Sequence, residues 1–161
     1  MGKGTRIAVG LLAAALAACA QAPQGPRIRI ENAWARPGAV AMGEGMGHGM
    51  SHAGGASTSA AFFVVVNEGD TPDALVGAAS DVARSVEVHE TVMEGDVAKM
   101  HPVPRVEIPA RGRVAFQPRG LHVMLIDLTR PLNAGDTFTL TLRFERSGEI
   151  PVTVAVRETS P

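Results

Sequence analysis

Residues 137–157, TFTLTLRFERSGEIPVTVAVR, decide the fold. Phe138, Leu140, Leu142 and Phe144 alternate with Thr139, Thr141 and Arg143, and Val152, Val154 and Val156 alternate in the same way across Pro151–Arg157. Successive side chains of an extended strand point to opposite faces, so this period of two marks two strands, each with one apolar and one wetted face. Working back towards the N-terminus, short apolar runs recur between Pro, Gly, Asn and Asp clusters. They are Ile28–Ala35, Ala60–Asn67 with its FFVVV, Asp73–Ala79, Ser85–Thr91, Val97–Pro102, Val106–Ile108, Arg113–Phe116 and His122–Leu128. Trp34, near the end of the first run, reads as a core anchor. No segment after the leader carries a useful helical stripe, so the pattern predicts an all-β domain, an antiparallel β-sandwich or Greek-key barrel.

The N-terminus has the form of a secretory leader. Lys3 and Arg6 precede the apolar run Ile7–Ala18, which falls short of the ~20 residues a membrane-spanning helix needs, and small residues lead up to Cys19. Leu16-Ala17-Ala18-Cys19 resembles the bacterial lipobox, where the signal is cut before a Cys that then receives lipid. The expected organisation is therefore a signal peptide over 1–18, a lipid-anchored linker over 19–26 and a β domain over 27–158. The expected location is the bacterial cell envelope or periplasm, with the lipid on Cys19 as the membrane contact. Cys19 is the single cysteine, so an intramolecular disulfide and a thiolate metal site are both excluded.

About 140 residues remain after the leader, enough for one core. Their 13 basic and 16 acidic side chains give a formal charge of −3, and the arginines are scattered, which argues against a nucleic-acid partner. The composition changes sharply from Ala39 to Ser59, where Gly, Ala, Ser, Met and His dominate and nothing can build a core; this reads as a flexible Met/His-rich insert.

Within the β pattern His89, Met100, His122 and Met124 follow the spacing His-x10-Met-x21-His-x-Met. Thioether sulfur favours Cu(I), imidazole accepts copper or zinc, and neither suits Mg2+ or Ca2+. Zinc sites of proteins use thiolate, imidazole or carboxylate, so thioethers count against zinc. His122 and Met124, two apart on a strand, share a face about 6 to 7 Å apart. A turn centred on Glu94-Gly95 would set His89 directly opposite Met100, with β-carbons about 4.5 to 5.5 Å apart. Two local pairs then need only meet to form a four-ligand pocket. Met93 lies on the His89 face but at the turn, and His101 points away from Met100; both read as structural or supporting residues. The bland alternative, core-filling Met and satisfied His, leaves the fixed spacing unexplained.

Paired carboxylates, phosphate-cradling glycine loops and nucleophile–base arrangements are all missing, so the chain does not read as an enzyme. Blue-copper electron transfer requires a Cys thiolate beside two His, which the domain lacks. What remains is a carrier of Cu(I), with an envelope copper buffer lacking a dedicated acceptor, or a metal-free structural sandwich, as the alternatives.

The same residues, with Val88-His89-Glu90-Thr91, the stretch Gly120–Leu125 and its His-x-Met, Pro131-Leu132-x-Ala-Gly-Asp136 and Leu142-x-Phe144-Glu145, resemble the periplasmic copper chaperones of the PCuAC family from about Ile28 to Arg157. The resemblance implies a cupredoxin-like β-sandwich that binds Cu(I) through the two His and two Met. It also implies a part in supplying the CuA centre of cytochrome c oxidase, with oxidase subunit II or another copper chaperone as the acceptor. The insert departs from the family pattern. Met42, Met46, His48, Met50 and His52 place five ligand-type residues within eleven. That density suggests a second site, Cu(I) on the Met and Cu(II) on the His, against the simpler reading of a low-complexity loop with incidental His and Met.

Overall fold

A computed structural model describes residues 25–40 and 57–159. The leader, Cys19 and the insert ligands Met42, Met46, His48, Met50 and His52 lie outside the described residues.

Ten strands and no helix occupy the described residues: β1 (Ile28–Ala35), β2 (Thr58–Asn67), β3 (Asp73–Ala79), β4 (Ala83–Glu94), β5 (Val97–Pro102), β6 (Val106–Ile108), β7 (Arg113–Phe116), β8 (Leu121–Leu128), β9 (Thr137–Phe144) and β10 (Gly148–Val156). β2 begins at Thr58, so the last two residues read as insert belong to a strand. The strands form one continuous hydrogen-bonded sheet in the order β5-β4-β8-β2-β1-β10-β9-β3-β6, with β7 pairing against β2. The sheet curls until β3 and β4, far apart in that order, pack on each other, which gives the sandwich-like all-β domain that the alternation predicts. One pair departs from the antiparallel expectation: β1 runs parallel to β10, with Trp34 beside Ala155. A parallel neighbour cannot be reached by a tight hairpin, and here the remaining strands of the domain lie between the two in sequence.

The core follows from the patterns quoted above. Phe138, Leu140, Leu142 and Phe144 on β9 and Val154 and Val156 on β10 are buried together with Phe63, Val65, Leu75, Ile108, Val123 and Leu125. β2 has neighbours along both edges, β1 on one side and β7 and β8 on the other, and in its apolar run Ala61, Phe62, Phe63 and Val65 are buried while Ala60, Val64 and Val66 are partly buried. Such a run, as opposed to clean alternation, is the mark of a strand covered on both faces. The open end of β3 is tied down by Asp73. Its buried carboxylate accepts hydrogen bonds from the Ala74 N–H (2.8 Å), the Arg146 N–H (2.9 Å), the Ser147 N–H (3.0 Å) and the Ser147 hydroxyl (2.6 Å). Burial pushes this carboxyl up, but the four donors outweigh it and hold the group below its usual range.

Trp34 is buried, yet it stands apart from the main core cluster. The reason is a β-bulge between Glu31 and Trp34, where Asn32 takes a φ of 52°. One extra residue reverses the facing of everything after it. Ala35 therefore enters the core, while Trp34 turns to the other face of the sheet and packs on Phe62, with ring centres 4.7 Å apart.

Candidate metal centre

The face that carries Trp34 and Phe62 also carries the predicted ligands. β8 lies between β4 and β2, and its odd residues Val123 and Leu125 fill the core, so His122 and Met124 share the opposite face as expected. On the β4 side His122 lies directly opposite His89, and Met124 opposite Glu87; on the β2 side Met124 lies opposite Ala60. The imidazole rings of His89 and His122 are 6.1 Å apart. An imidazole nitrogen sits about 2 Å from a bound metal and about 1.1 Å from its own ring centre, so two rings sharing one ion can have centres up to about 6.4 Å apart. The observed spacing fits within that reach.

The pairing of His89 directly with Met100 is corrected by the structure. His89 faces Pro102, and Met100 faces Thr91. The turn is the two-residue Gly95-Asp96, joining Glu94 to Val97, with Gly95 at a φ of 63° in its first central position. Only a glycine takes that conformation without strain, and two-residue hairpins with Gly in that position follow the right-handed twist of the strands. Centring the turn one residue earlier misplaces the partner by two residues. A shift of two preserves the face, so Met100 remains on the His89 side, one rung along as a diagonal neighbour. His101 pairs with Glu90 on the reverse face, and Met93 pairs with Ala98 on the site face.

Each histidine is held by one ring nitrogen and keeps the other free. The His122 Nδ1–H donates to the Gly120 carbonyl (2.9 Å), and the His89 Nε2–H donates to Glu87 Oε2 (3.0 Å). His122 Nε2 and His89 Nδ1 are buried and have no hydrogen-bond partner among the described residues. Each such orphan costs about 1 to 3 kcal/mol in a folded protein, so two of them on facing rings call for a ligand. The arrangement also has the form in which metal-binding histidines occur: one nitrogen oriented by a carbonyl or carboxylate, the other presenting its lone pair. Hydrogen bonds from His89 and from the Ser85 hydroxyl hold the Glu87 carboxyl below its usual range.

Beside the His122 ring opens a pocket of about 260 Å3, lined by Met100, His122 and Met124 with Phe62, Ala60, Thr91, Ala98, Pro118, Arg36 and Arg119 around them. The Arg36 guanidinium lies over the Phe62 ring, 5.5 Å from its centre. Burial is graded across the site: His122 is 3% exposed, Met124 is half-buried and Met100 is 57% exposed. Among the described residues no three His, Cys, Asp or Glu side chains come together to hold a metal. Among the described residues the thioethers of Met100 and Met124 stand ready to complete the two imidazoles, which suits a soft ion and not zinc or a hard cation.

Glu87, Phe62 and the two arginines escape the spacing argument. Glu87 had a signal, since it precedes His89 by two on a strand and so shares its face; Phe62 had none, because the FFVVV run does not reveal which of its residues face the core.

A family model described as "Putative lipoprotein LpqE-like" matches residues 28–156. The chain belongs to the LpqE-like family. A relative from Leifsonia xyli, "Putative lipoprotein Lxx21020", is 34% identical over 161 residues, covering 99% of this chain and 95% of its own length. Among solved structures, the copper-bound PCuAC domain of PmoF2 is 28% identical with a TM-score of 0.59, over 82% of this chain and 93% of that one. The Cu(I) form of DR1885 from Deinococcus radiodurans is 32% identical with a TM-score of 0.56, over 81% of this chain and 79% of that one. The LpqE-like domain thus has the architecture of PCuAC domains, in agreement with the resemblance carried by its motif.

Proposed function

We propose that this LpqE-like chain is a Cu(I) carrier of the bacterial envelope, tethered by lipid on Cys19, that holds copper at His89, Met100, His122 and Met124 and surrenders it to an acceptor. The observation that carries the proposal is the pair of buried, unpartnered nitrogens, His122 Nε2 and His89 Nδ1, on adjacent rings, the His122 ring lining a pocket that Met100 and Met124 also line. The copper-bound PmoF2 domain and Cu(I)-DR1885 support it, since both share this fold and their names record the metal. Thioethers keep binding in an oxidising compartment where thiols are lost to disulfides, which agrees with the expected location. Delivery proceeds by ligand exchange on the exposed Met100 side of the site, where an incoming donor reaches the ion. The acceptor suggested by the family resemblance is the CuA centre of cytochrome c oxidase. The insert residues Met42, Met46, His48, Met50 and His52 form, in this proposal, a second and adaptable site for Cu(I) or Cu(II).

A Cu(I) competition titration of the mature chain tests the assignment. Tight one-to-one binding should disappear in the double variant His89→Ala, Met124→Leu; its survival there would sink the four-ligand site. Replacing residues 41–56 by a short Gly/Ser loop should lower the stoichiometry and leave the tight site intact. In cells, loss of the protein should reduce oxidase activity under copper limitation, with recovery on added copper. Copper sensitivity with normal oxidase would make the protein a buffer.

A further inference from the structure

We infer that Met93 is a fifth ligand of the copper path: together with Met100 it forms an outer Cu(I) station at the tip of the β4–β5 hairpin, through which the ion enters and leaves the inner site. The inference rests on the Cu(I) reading above and adds to it a residue outside the four-ligand motif.

The hairpin segregates its chemistry by face. Pairing of Met93 with Ala98 and of Thr91 with Met100 puts His89, Thr91, Met93, Ala98 and Met100 on the site face. Glu90, Glu94, Lys99 and His101 fall on the reverse, where Lys99 and Glu94 pair with each other. The outer part of the site face therefore offers a metal nothing but thioether, with no carboxylate or imidazole to recruit a hard ion. Met93 is 59% exposed and Met100 57%, so neither is serving as core filler. Diagonal neighbours of this kind have backbones about 7 to 8 Å apart, within reach of long side chains. Two Met sulfurs each about 2.3 Å from a shared ion need approach only to about 4.6 Å. Ala98, opposite Met93, and Thr91, opposite Met100, are too small to fill the space between, and both line the pocket that continues to His122 and Met124.

Transfer inward is ligand exchange alone. The Cu(I)–S bond to Met93 breaks as bonds to the free imidazole nitrogens form, Met100 stays bound throughout, and the ion keeps its single charge. Thioethers carry no proton and the facing nitrogens already present lone pairs, so neither proton nor electron moves.

The test uses the mature chain with the insert silenced by Leu at Met42, Met46 and Met50 and Gln at His48 and His52. Cu(I) is the probe, added anaerobically, and the methionine methyl resonances are followed, with Met93→Leu giving the assignment. The first equivalent should shift the Met100 and Met124 methyls, and the second should shift Met93. In stopped-flow transfer to a Cu(I) chelator, Met93→Leu should slow release at least fivefold while the equilibrium affinity stays within twofold of the parent. A tight complex whose Met93 methyl never moves, or a release rate within twofold of the parent, overturns the outer station and leaves the inner site standing. Failure of the parent chain to form a tight one-to-one complex overturns both.

Discussion

Glu87→Ala isolates what the protein adds to its copper ligands, because it removes a residue that supports a ligand without being one. Among the described residues Glu87 alone accepts a hydrogen bond from the His89 ring, from Nε2 at 3.0 Å. Without it the ring loses the contact that selects its tautomer and leaves the buried Nδ1 with a free lone pair. Removing such a supporting carboxylate costs about 10- to 100-fold in metal affinity, or about 1.4 to 2.7 kcal/mol. Glu87 is 47% exposed on its side chain, so water screens its charge and the loss belongs at the lower end, about tenfold. His122 has no equivalent weakness, since its orienting partner is the Gly120 backbone carbonyl, which side-chain substitution leaves in place.

Competition titration with a Cu(I) chelator is the assay, with thermal unfolding of the metal-free protein as the control. Glu87→Ala should weaken binding about tenfold while leaving the unfolding midpoint nearly unchanged, because an exposed pair contributes little to stability. Glu87→Gln, which still offers a carbonyl oxygen, should recover most of the loss. An affinity for Glu87→Ala within twofold of the parent would refute the reasoning and mean that the His89 ring is held by packing alone.

Phe62→Ala should lower stability by about 3 to 5 kcal/mol, as truncation of a buried aromatic does, and weaken Cu(I) binding through loss of the ring beside His122; urea unfolding and chelator competition measure the two effects. Asp73→Asn leaves an amide facing four donors and should cost about 3 kcal/mol, two charge-assisted hydrogen bonds' worth, read as a fall in unfolding midpoint of about 10 °C. The folded-state pKa of Asp73 lies below its unfolded value. Its contribution is therefore complete above the unfolded pKa of about 4 and disappears as pH falls through the folded value, so the gap between parent and Asp73→Asn in urea unfolding should be full at pH 7 and shrink below pH 4. Copper affinity should be unaffected by Asp73→Asn, since the residue anchors β3 to the β9–β10 turn, away from the ligands.

The strands were largely legible because their signals are local. The alternation of Phe138 to Phe144 shows directly which side is buried, and turn residues bracket β3, β5, β6 and β7 at their observed limits. Register was harder. The Glu94-Gly95-Asp96 turn admits two centrings one residue apart, and only the positive φ at Gly95 decides between them. The face of Met100 survived that error because a two-residue slip keeps facing, whereas the bulge at Asn32 slips by one and carried Trp34 out of the core. The direct opposition of His89 and His122 was not legible, because it depends on β4 pairing with β8 across 33 residues of sequence separation, which no short pattern encodes.

That pairing shapes how the site can work. His122 sits on a strand flanked on both sides and is fixed by a backbone carbonyl; His89 is on the next strand out, fixed by an exposed carboxylate; Met100 is on the edge strand with more than half its surface in water. Rigidity thus falls from β8 to β5 in step with exposure. A ligand held by packing on both sides must keep its place when a competitor approaches, while one on an edge strand can swing away at little cost. An acceptor would then meet the ion at the exposed outer thioethers, with His122 the ligand furthest from it. Release should accordingly be altered more by Met100→Leu than by any change that leaves the outer thioethers in place. Substitution of His122, by contrast, should lower affinity without changing the side from which an acceptor reaches the ion. A site built with the opposite gradient would hold the metal as firmly but offer no route for handing it on.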